Sequence, residues 1–191
     1  RRQRQMCIRD SDEIIQQDKK VDGLEIAIDE ACLEIMALHQ PVASDLRLLV
    51  TIMKITNDLE RVGDCAVNIA KFVRKVNEEP PLKPYIDLPR MATEARAMVH
   101  DGLEAFGNSD SERAAAVMKR DKQIDKLYKQ LFRVLLTFMI ENPQNVTRAT
   151  YLLMISRNLE RIADHATNVC EDVIYYVEGR DVRHPKAEPA P

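Results

Sequence analysis

Apolar residues recur every three or four positions along most of this chain, which is the spacing of amphipathic helices. The first such run begins near Asp10, where D-x-x-E is a helix-capping pattern, and it ends at Pro41. A second run extends from Ser44 to about Val76. At 1.5 Å per residue, thirty residues make a rod of roughly 45 Å. The pattern therefore predicts a hairpin of two long helices joined at a proline.

The second half of the chain shows the same pattern after an interruption. Four prolines fall within residues 78–89, where the helical period is lost, and this predicts a linker. Three further helices are predicted, from about Pro89 to Phe106, from a Ser109–Glu112 capping box to about Ile140, and from Asn142-Pro143 to Gly179. The predicted organisation is a first helical repeat at 1–79, a linker at 80–88, a second repeat at 89–179 and a flexible tail at 180–191.

One stretch occurs twice, a hundred residues apart. NDLERVGDCAVNIA at 57–70 returns as RNLERIADHATNVC at 157–170. The preceding helices also match, with Asp18-x-x-x-Asp22 in the first half and Asp121-x-x-x-Asp125 in the second. The second half has an additional helix at 89–106, so we expect the first repeat to lack its N-terminal helix in this chain, because two amphipathic helices bury less than three.

Composition narrows the class of protein. The chain has 45% apolar and 31% charged residues, five glycines and no tryptophan, which favours a soluble, all-α protein. Its net charge of −3 gives no general attraction to nucleic acid, and no apolar run is long enough to span a membrane. Four scattered cysteines without C-x-x-C spacing favour reduced, mostly buried thiols in a cytoplasmic protein.

The repeated acid pairs are the candidate functional site. Residues four apart lie on one helix face, so each pair stacks like charges. Asp22 and Glu60 are each 19 residues from Pro41, and the corresponding separations from Pro143 are 18 and 17. The pairs of each hairpin should therefore meet at one height and could bind a metal ion. The predicted ligands are Asp18, Asp22, Glu60, Asp64, Asp121, Asp125, Glu160 and Asp164.

The acid stripes have a simpler interpretation, in which they face water and are neutralised by nearby Lys and Arg. Arg61 and Arg161 fit a salt bridge to a neighbouring helix better than an exposed phosphate contact. His165 lies off the stripe and is more typical of a partly buried side chain than of a ligand. Asn68 and Asn168 could supply amide oxygens or make helix-packing hydrogen bonds. Cys32 and Cys170 are predicted to lie in the core, and His39, His100 and His184 on the surface or in turns.

Converging carboxylates suit Mg²⁺, Mn²⁺, Ca²⁺ or iron, whereas Zn²⁺ usually recruits His or Cys. The sequence contains no phosphate-binding glycine loop, nucleophile elbow or H-E-x-x-H motif. The E-x-x-H spacing of ferritin-like di-metal enzymes is also absent. A carboxylate site could support hydrolysis, but no separate nucleophile is evident. We therefore predict a protein that is not an enzyme.

Taken together, these segments resemble the PhoU family. The resemblance covers about Asp10 to His184 and depends on the two LER(V/I)xD segments, the two D-x-x-[VI]-D segments, LHQPVASDLRLL at 38–49 and VEGRDVRH near the end. It implies an all-α fold, a tandem repeat of two antiparallel three-helix bundles. It also implies clusters of iron or other divalent ions held by the eight acids named above, with Mn, Mg or Zn as alternatives.

The resemblance further implies a cytoplasmic negative regulator of phosphate uptake and phosphate-starvation signalling. The implied partners are the ATPase subunit of the phosphate ABC transporter, a membrane sensor histidine kinase and a second copy of the chain, without nucleic acid. Two alternatives from the residues alone are a carboxylate-bridged metal-dependent hydrolase and a plain helical scaffold.

Overall fold

The computed structural model describes residues 2–78, 82 and 87–183, and it describes side chains from Asp12 onward. Within these ranges the regular structure is entirely helical. The helices are α1 (Arg2–His39), α2 (Ser44–Val76), α3 (Asp87–Gly107), α4 (Ser111–Met118), α5 (Asp121–Glu141) and α6 (Val146–Glu178), with a short 3₁₀ turn at Pro143–Asn145. The predicted all-α class is confirmed.

The predicted turn at Pro41 and the predicted end of the last helix at Gly179 are confirmed. The turn between α1 and α2 contains Pro41, and its neighbours Gln40 and Ala43 adopt positive φ angles of 47° and 50°. Asn142 accepts a hydrogen bond from the backbone N–H of Gln144 and so caps the 3₁₀ turn before α6. Gly179 ends α6 in the left-handed conformation, with φ 70°.

Two predicted helix boundaries were wrong. Helix α1 already includes residues 2–9, so it does not begin near Asp10. The predicted helix from Ser109 to Ile140 is two helices, α4 and α5, separated by a turn at Lys119–Arg120. The Arg120 side chain anchors this turn to α3, because it pairs with Glu94 at 2.6 Å and Asp101 at 2.5 Å. Sequence periodicity cannot reveal a break that depends on a partner helix.

The capping residue of α4 was also predicted incorrectly. Asp110, not Ser109, is the N-cap, and its side chain accepts a hydrogen bond from the backbone N–H of Arg113. Ser109 instead has a positive φ of 52° in the turn that follows α3.

Helices α2 and α6 form the centre of the molecule and pack against each other more extensively than any other pair. They run in opposite directions, since Lys54 pairs with Asp172 near one end and the rings of Phe72 and Tyr151 lie 6.0 Å apart near the other. Helix α1 packs on α2, whereas α3, α4 and α5 pack on α6. The repeated segments of the two halves therefore lie side by side.

The second half contributes most of the core. Its fully buried side chains include Met98, Ile124, Leu135 and Val173, and fully burying an aliphatic side chain of this size contributes roughly 1.5–3 kcal/mol. Among the residues of α1 whose side chains are described, only Cys32 is buried. Leu24 and Leu38 on this helix are 61% and 69% exposed. The described first half contains no counterpart of α3, as expected.

The predicted linker at 80–88 lies mostly outside the described residues, and so does the tail beyond Arg183 with His184. The division into two repeats with a linker therefore stays a prediction. None of the helices in the described ranges combines the length and apolar character that crossing a bilayer requires.

Candidate metal centre

The acid pairs of the first hairpin meet across α1 and α2. Burial is the largest cause that raises the pKa of Asp18, and repulsion from Asp22 on its own helix and Asp64 on α2 raises it further. The pKa of Glu60 is likewise raised by burial first and then mainly by Asp64, with Asp22 contributing across the interface. These four carboxylates are therefore near enough to repel one another across the two helices, and we call them the first acidic cluster.

The second hairpin repeats this arrangement between α5 and α6. Burial raises the pKa of Asp121, and repulsion from Asp164 and Asp125 raises it further. Burial also raises the pKa of Glu160, followed by Asp164 on the same helix, and both α5 acids add smaller repulsion. Asp164 has a pKa raised by burial and by Asp125. We call Asp121, Asp125, Glu160 and Asp164 the second acidic cluster.

Each cluster contains a carboxylate oxygen that is buried without a hydrogen-bond partner. These atoms are Oε2 of Glu60 and Oδ1 of Asp121. The nearest cation to Glu60 Oε2 is the Nε of Arg61, at 3.4 Å. An unsatisfied buried carboxylate oxygen is costly, and a bound cation would remove that cost.

The donor chemistry of both clusters fits a hard cation, because every predicted ligand is a carboxylate. The side-chain positions fit less closely. Among the described residues, no group of three or more His, Cys, Asp or Glu side chains is near enough together to hold a metal ion. Binding would therefore require the carboxylates to draw inward, a movement that their mutual repulsion opposes until a cation is present.

Nearby cations neutralise the clusters only in part. Arg61 lies 3.4 Å from Glu60 and 3.5 Å from Asp64, both on its own helix, so its predicted salt bridge to a neighbouring helix was wrong. Lys129 lies 3.4 Å from Asp125, one turn away on α5. The Arg61 and Lys129 side chains of these pairs are exposed to solvent. An exposed ion pair contributes about 0.2–1 kcal/mol to stability.

Two further acids, Glu25 and Asp58, make contacts that were not predicted. Glu25 adds to the repulsion that raises the pKa of Glu60, and it accepts a hydrogen bond from Asn57. Its position three residues after Asp22 places it on the same helix face, which is a signal available in the sequence. Asp58 lies 2.7 Å from His165 on α6. That contact depends on the antiparallel packing of α2 and α6, which the sequence did not indicate.

The neighbouring polar residues match their simpler interpretations. His165 is 17% exposed at its side chain and is paired with Asp58, as expected of a partly buried histidine. Asn168 donates a hydrogen bond to the same Asp58 oxygen at 3.2 Å, and this is a helix-packing contact. Cys32 and Cys170 are buried, as predicted, and burial raises the pKa of Cys170 to about 12.

Comparison with models of protein families shows to which family this chain belongs. The PhoU domain model matches residues 7–73 and 88–173, which are most of the chain and include all eight cluster acids. The chain belongs to the PhoU family.

Several relatives support this assignment to the PhoU family. The chain is 43% identical over 168 residues to the phosphate-specific transport system accessory protein PhoU homolog of Pseudomonas putida, covering 87% of this chain and 66% of that protein. It is 44% identical to the homolog of Aquifex aeolicus, covering 91% and 79%. With PhoU of Escherichia coli K12, identity is 37%, with coverage of 90% and 71%.

Solved PhoU structures have the same fold. The crystal structure of PhoU from Pseudomonas aeruginosa matches with a TM-score of 0.86 at 37% identity, covering 89% of this chain and 82% of that one. The PhoU structure from Streptococcus pneumoniae gives 0.84 at 32% identity, with coverage of 91% and 82%. These similarities confirm the family and helical architecture predicted from the repeated motifs.

The raised carboxyl pKa values of this PhoU chain predict that part of the folding stability of the metal-free protein falls as pH rises. A carboxyl whose pKa is higher in the folded state favours folding while it is protonated. That contribution is lost as pH rises from the unfolded-state value near 4 through the raised folded-state value. Replacing Glu160 with Gln removes one such group. The stability of E160Q relative to the wild type should therefore increase over this pH range and then level off.

This prediction is checked by urea denaturation at a series of pH values in the presence of a chelator. The control is E30Q, because Glu30 is an exposed acid of α1 outside both clusters, and surface changes of this kind usually alter stability by less than about 0.5 kcal/mol. A stability difference for E160Q that stays constant with pH would contradict the expected burial and repulsion at the second cluster.

Proposed function

We propose that this protein is an accessory regulator of phosphate transport that lowers phosphate uptake and phosphate-starvation signalling. The observation that carries this proposal is its membership of the PhoU family, together with relatives of 37–44% identity named as phosphate-specific transport system accessory proteins. The regulator acts by binding other proteins in the cytoplasm, and no catalytic step is assigned to it.

The proposed regulator holds metal ions at its two acidic clusters. In the first, Asp18, Asp22, Glu60 and Asp64 are the ligands, and in the second, Asp121, Asp125, Glu160 and Asp164. Iron is the leading candidate, with Mn, Mg or Zn as alternatives. A bound cation would neutralise the converging carboxylates and tie the two helices of each hairpin together. Support comes from the shared donor chemistry, the raised pKa values and the two buried carboxylate oxygens that have no hydrogen-bond partner.

The proposed partners are the ATPase subunit of the phosphate ABC transporter and a membrane sensor histidine kinase, with a second copy of the chain forming a homodimer. The names of the relatives support association with the transport system as a whole. A regulator of this kind reaches the membrane only through its partners.

The hydrolase alternative is less well supported by the residues around the clusters. The thiol of Cys65 lies next to Asp64 in sequence, but it is fully buried and burial raises its pKa. A protonated, inaccessible thiol is a poor nucleophile. A phosphate-ester turnover assay with Mn²⁺ or Fe²⁺ would distinguish the two functions, since the regulator is expected to give no metal-dependent turnover.

The regulatory proposal is tested by expressing the chain in a bacterium from which the resident PhoU-family gene has been deleted. Expression should lower both ³²P-phosphate uptake and a phosphate-starvation reporter toward their levels in the parent strain. The variant E60Q/D64N/E160Q/D164N should accumulate to a similar level and fail to do so. Unchanged uptake and reporter activity, with the wild-type chain folded and abundant, would argue against this function.

A further inference from the structure

The outward face of α5 carries a row of basic side chains. Four of its exposed residues are cationic, namely Lys122, Lys126, Lys129 and Arg133. Their spacing of three and four positions places them along one line of the helix. Among the described residues, Lys129 is the only member of the row that forms an ion pair, with Asp125 at 3.4 Å. We call these four residues the basic stripe.

The basic stripe brings no benefit to the isolated fold. Like charges three or four positions apart on a helix repel each other, so each neighbouring pair in the stripe slightly destabilises α5. The first half shows that a hairpin of this kind does not require the stripe. In the repeat alignment of Asp18 with Asp121, its last three positions are occupied on α1 by Gly23, Ile26 and Glu30. The stripe therefore points to an anionic partner outside the chain.

Exposed apolar side chains continue the stripe toward the C-terminal end of α5. Leu136 and Ile140 lie about one and two turns beyond Arg133, and they are 42% and 74% exposed. Phe132 and, after the 3₁₀ turn, Val146 are each 44% exposed. None of these four apolar residues belongs to the core cluster or packs against it. Exposed apolar residues that are grouped in this way mark an interaction site.

These apolar residues are exposed for a different reason from those on α1. Leu24 and Leu38 of α1 belong to the half in which the described residues include no counterpart of α3. The second half contains α3, α5 and α6, and α5 packs on both of the others. The apolar end of α5 therefore stays exposed after these helices have packed together, and it is available to another molecule.

We propose that the outward face of α5 is a docking surface for an acidic, amphipathic segment of a partner protein. Carboxylates of that segment pair with the basic stripe, and its apolar side chains pack on Leu136 and Ile140. The length of α5 from Lys122 to Ile140 is about 27 Å, which matches a partner helix of about 18 residues. This inference rests on the proposed function, in which the protein acts by binding other proteins.

The charges around the stripe favour a protein segment over an anionic lipid surface. Asp125 and Glu141 lie on the same helix, close to the stripe and to its apolar end, and the chain as a whole has a net charge of −3. A flat layer of lipid phosphates would meet these acids together with the stripe and would be repelled by them. A single protein segment can place its carboxylates beside the cations alone.

The test measures binding of the full chain to the purified ATPase subunit of the phosphate transporter and to the cytoplasmic part of the sensor kinase. In biolayer interferometry, K126E/R133E should weaken binding to at least one of them by about tenfold or more, because like charges then face each other across the interface. The milder K126Q/R133Q should weaken it less, and I140A should weaken it at every salt concentration. The matched control R96E/K119E reverses two exposed cations outside α5 and should bind as the wild type does.

A cross-linking measurement identifies the groups in contact. A carbodiimide joins a lysine amine to a carboxylate only where the two touch, so Lys126 should become linked to an Asp or Glu of the bound partner. Raised salt should reduce this link, because exposed ion pairs are screened. Circular dichroism establishes that each variant keeps its helical content.

The outcomes distinguish this inference from the proposed function. Equal binding by the wild type and K126E/R133E, or an equal loss in R96E/K119E, would overturn the docking surface and leave the regulatory function intact. Binding to phosphatidylcholine–phosphatidylglycerol vesicles that K126E/R133E abolishes, with binding to both proteins unchanged, would overturn it in favour of a membrane. If the wild-type chain binds neither protein, the proposed partners fail, and this inference fails with them.

Discussion

Saturating Mn²⁺ is expected to raise the free energy of unfolding by about 2.7 kcal/mol for each occupied cluster, at a free concentration a hundred times the dissociation constant. At the proposed sites the ion would bind only the folded hairpin, where carboxylates from two helices face each other, and it would relieve their mutual repulsion. In a chain of this length, each kcal/mol corresponds to roughly 2–4 °C in melting temperature. Thermal and urea denaturation with Mn²⁺ or with a chelator would measure the increase.

The variant E60Q/D64N/E160Q/D164N should lose this response. Without metal it should be more stable than the wild type, because burial and repulsion raise the pKa of Glu60, Glu160 and Asp164 in the folded state, and neutralising these three carboxyls removes that opposition to folding. The control E30Q/E34Q/E141Q changes exposed acids outside both clusters, and it should keep the full response to Mn²⁺. The same Mn²⁺ stabilisation in both variants would exclude the two clusters as the binding sites.

Replacing Ile124 with Ala is expected to destabilise the protein by about 2–5 kcal/mol, as is usual when a fully buried isoleucine is truncated. Ile124 is 0% exposed and lies between Asp121 and Asp125 on α5. Its counterpart in the repeat is Val21, which is only partly buried between Asp18 and Asp22. The matched change Val21→Ala should therefore cost only about 1 kcal/mol, because it removes less volume from a less enclosed site.

Urea denaturation of the two variants, both without metal, tests this ranking. Val21→Ala costing as much as Ile124→Ala would show that the first hairpin is packed as tightly as the second. The increase in stability with Mn²⁺ should persist in Val21→Ala, because no predicted ligand has been changed.

The helices and the meeting of the acid pairs could be predicted because both follow from short-range geometry. A 3.6-residue period marks a helix whatever surrounds it, and a proline midway between two acid pairs places them at equal heights in the hairpin. Raised pKa values at Asp18, Glu60, Asp121 and Glu160 agree with that convergence. The metal itself stays a prediction.

Features that depend on contacts between distant segments were missed. The break between α4 and α5 coincides with the anchoring of Arg120 to two acids of α3. The pairing of Asp58 with His165 joins residues 107 positions apart. Neither contact leaves a periodic signal, because each depends on which helices become neighbours after folding.

The sequence by itself determined that this is an all-α protein of two related halves, each with acids placed to meet across a hairpin. Those conclusions require only the period of a helix and the position of a turn. Only the tertiary structure decided that α2 and α6 lie antiparallel at the centre, and that equivalent residues such as Val21 and Ile124 differ in burial. The physical reason is that burial and pairing belong to the neighbours a helix acquires, and two similar sequences with different neighbours acquire different environments.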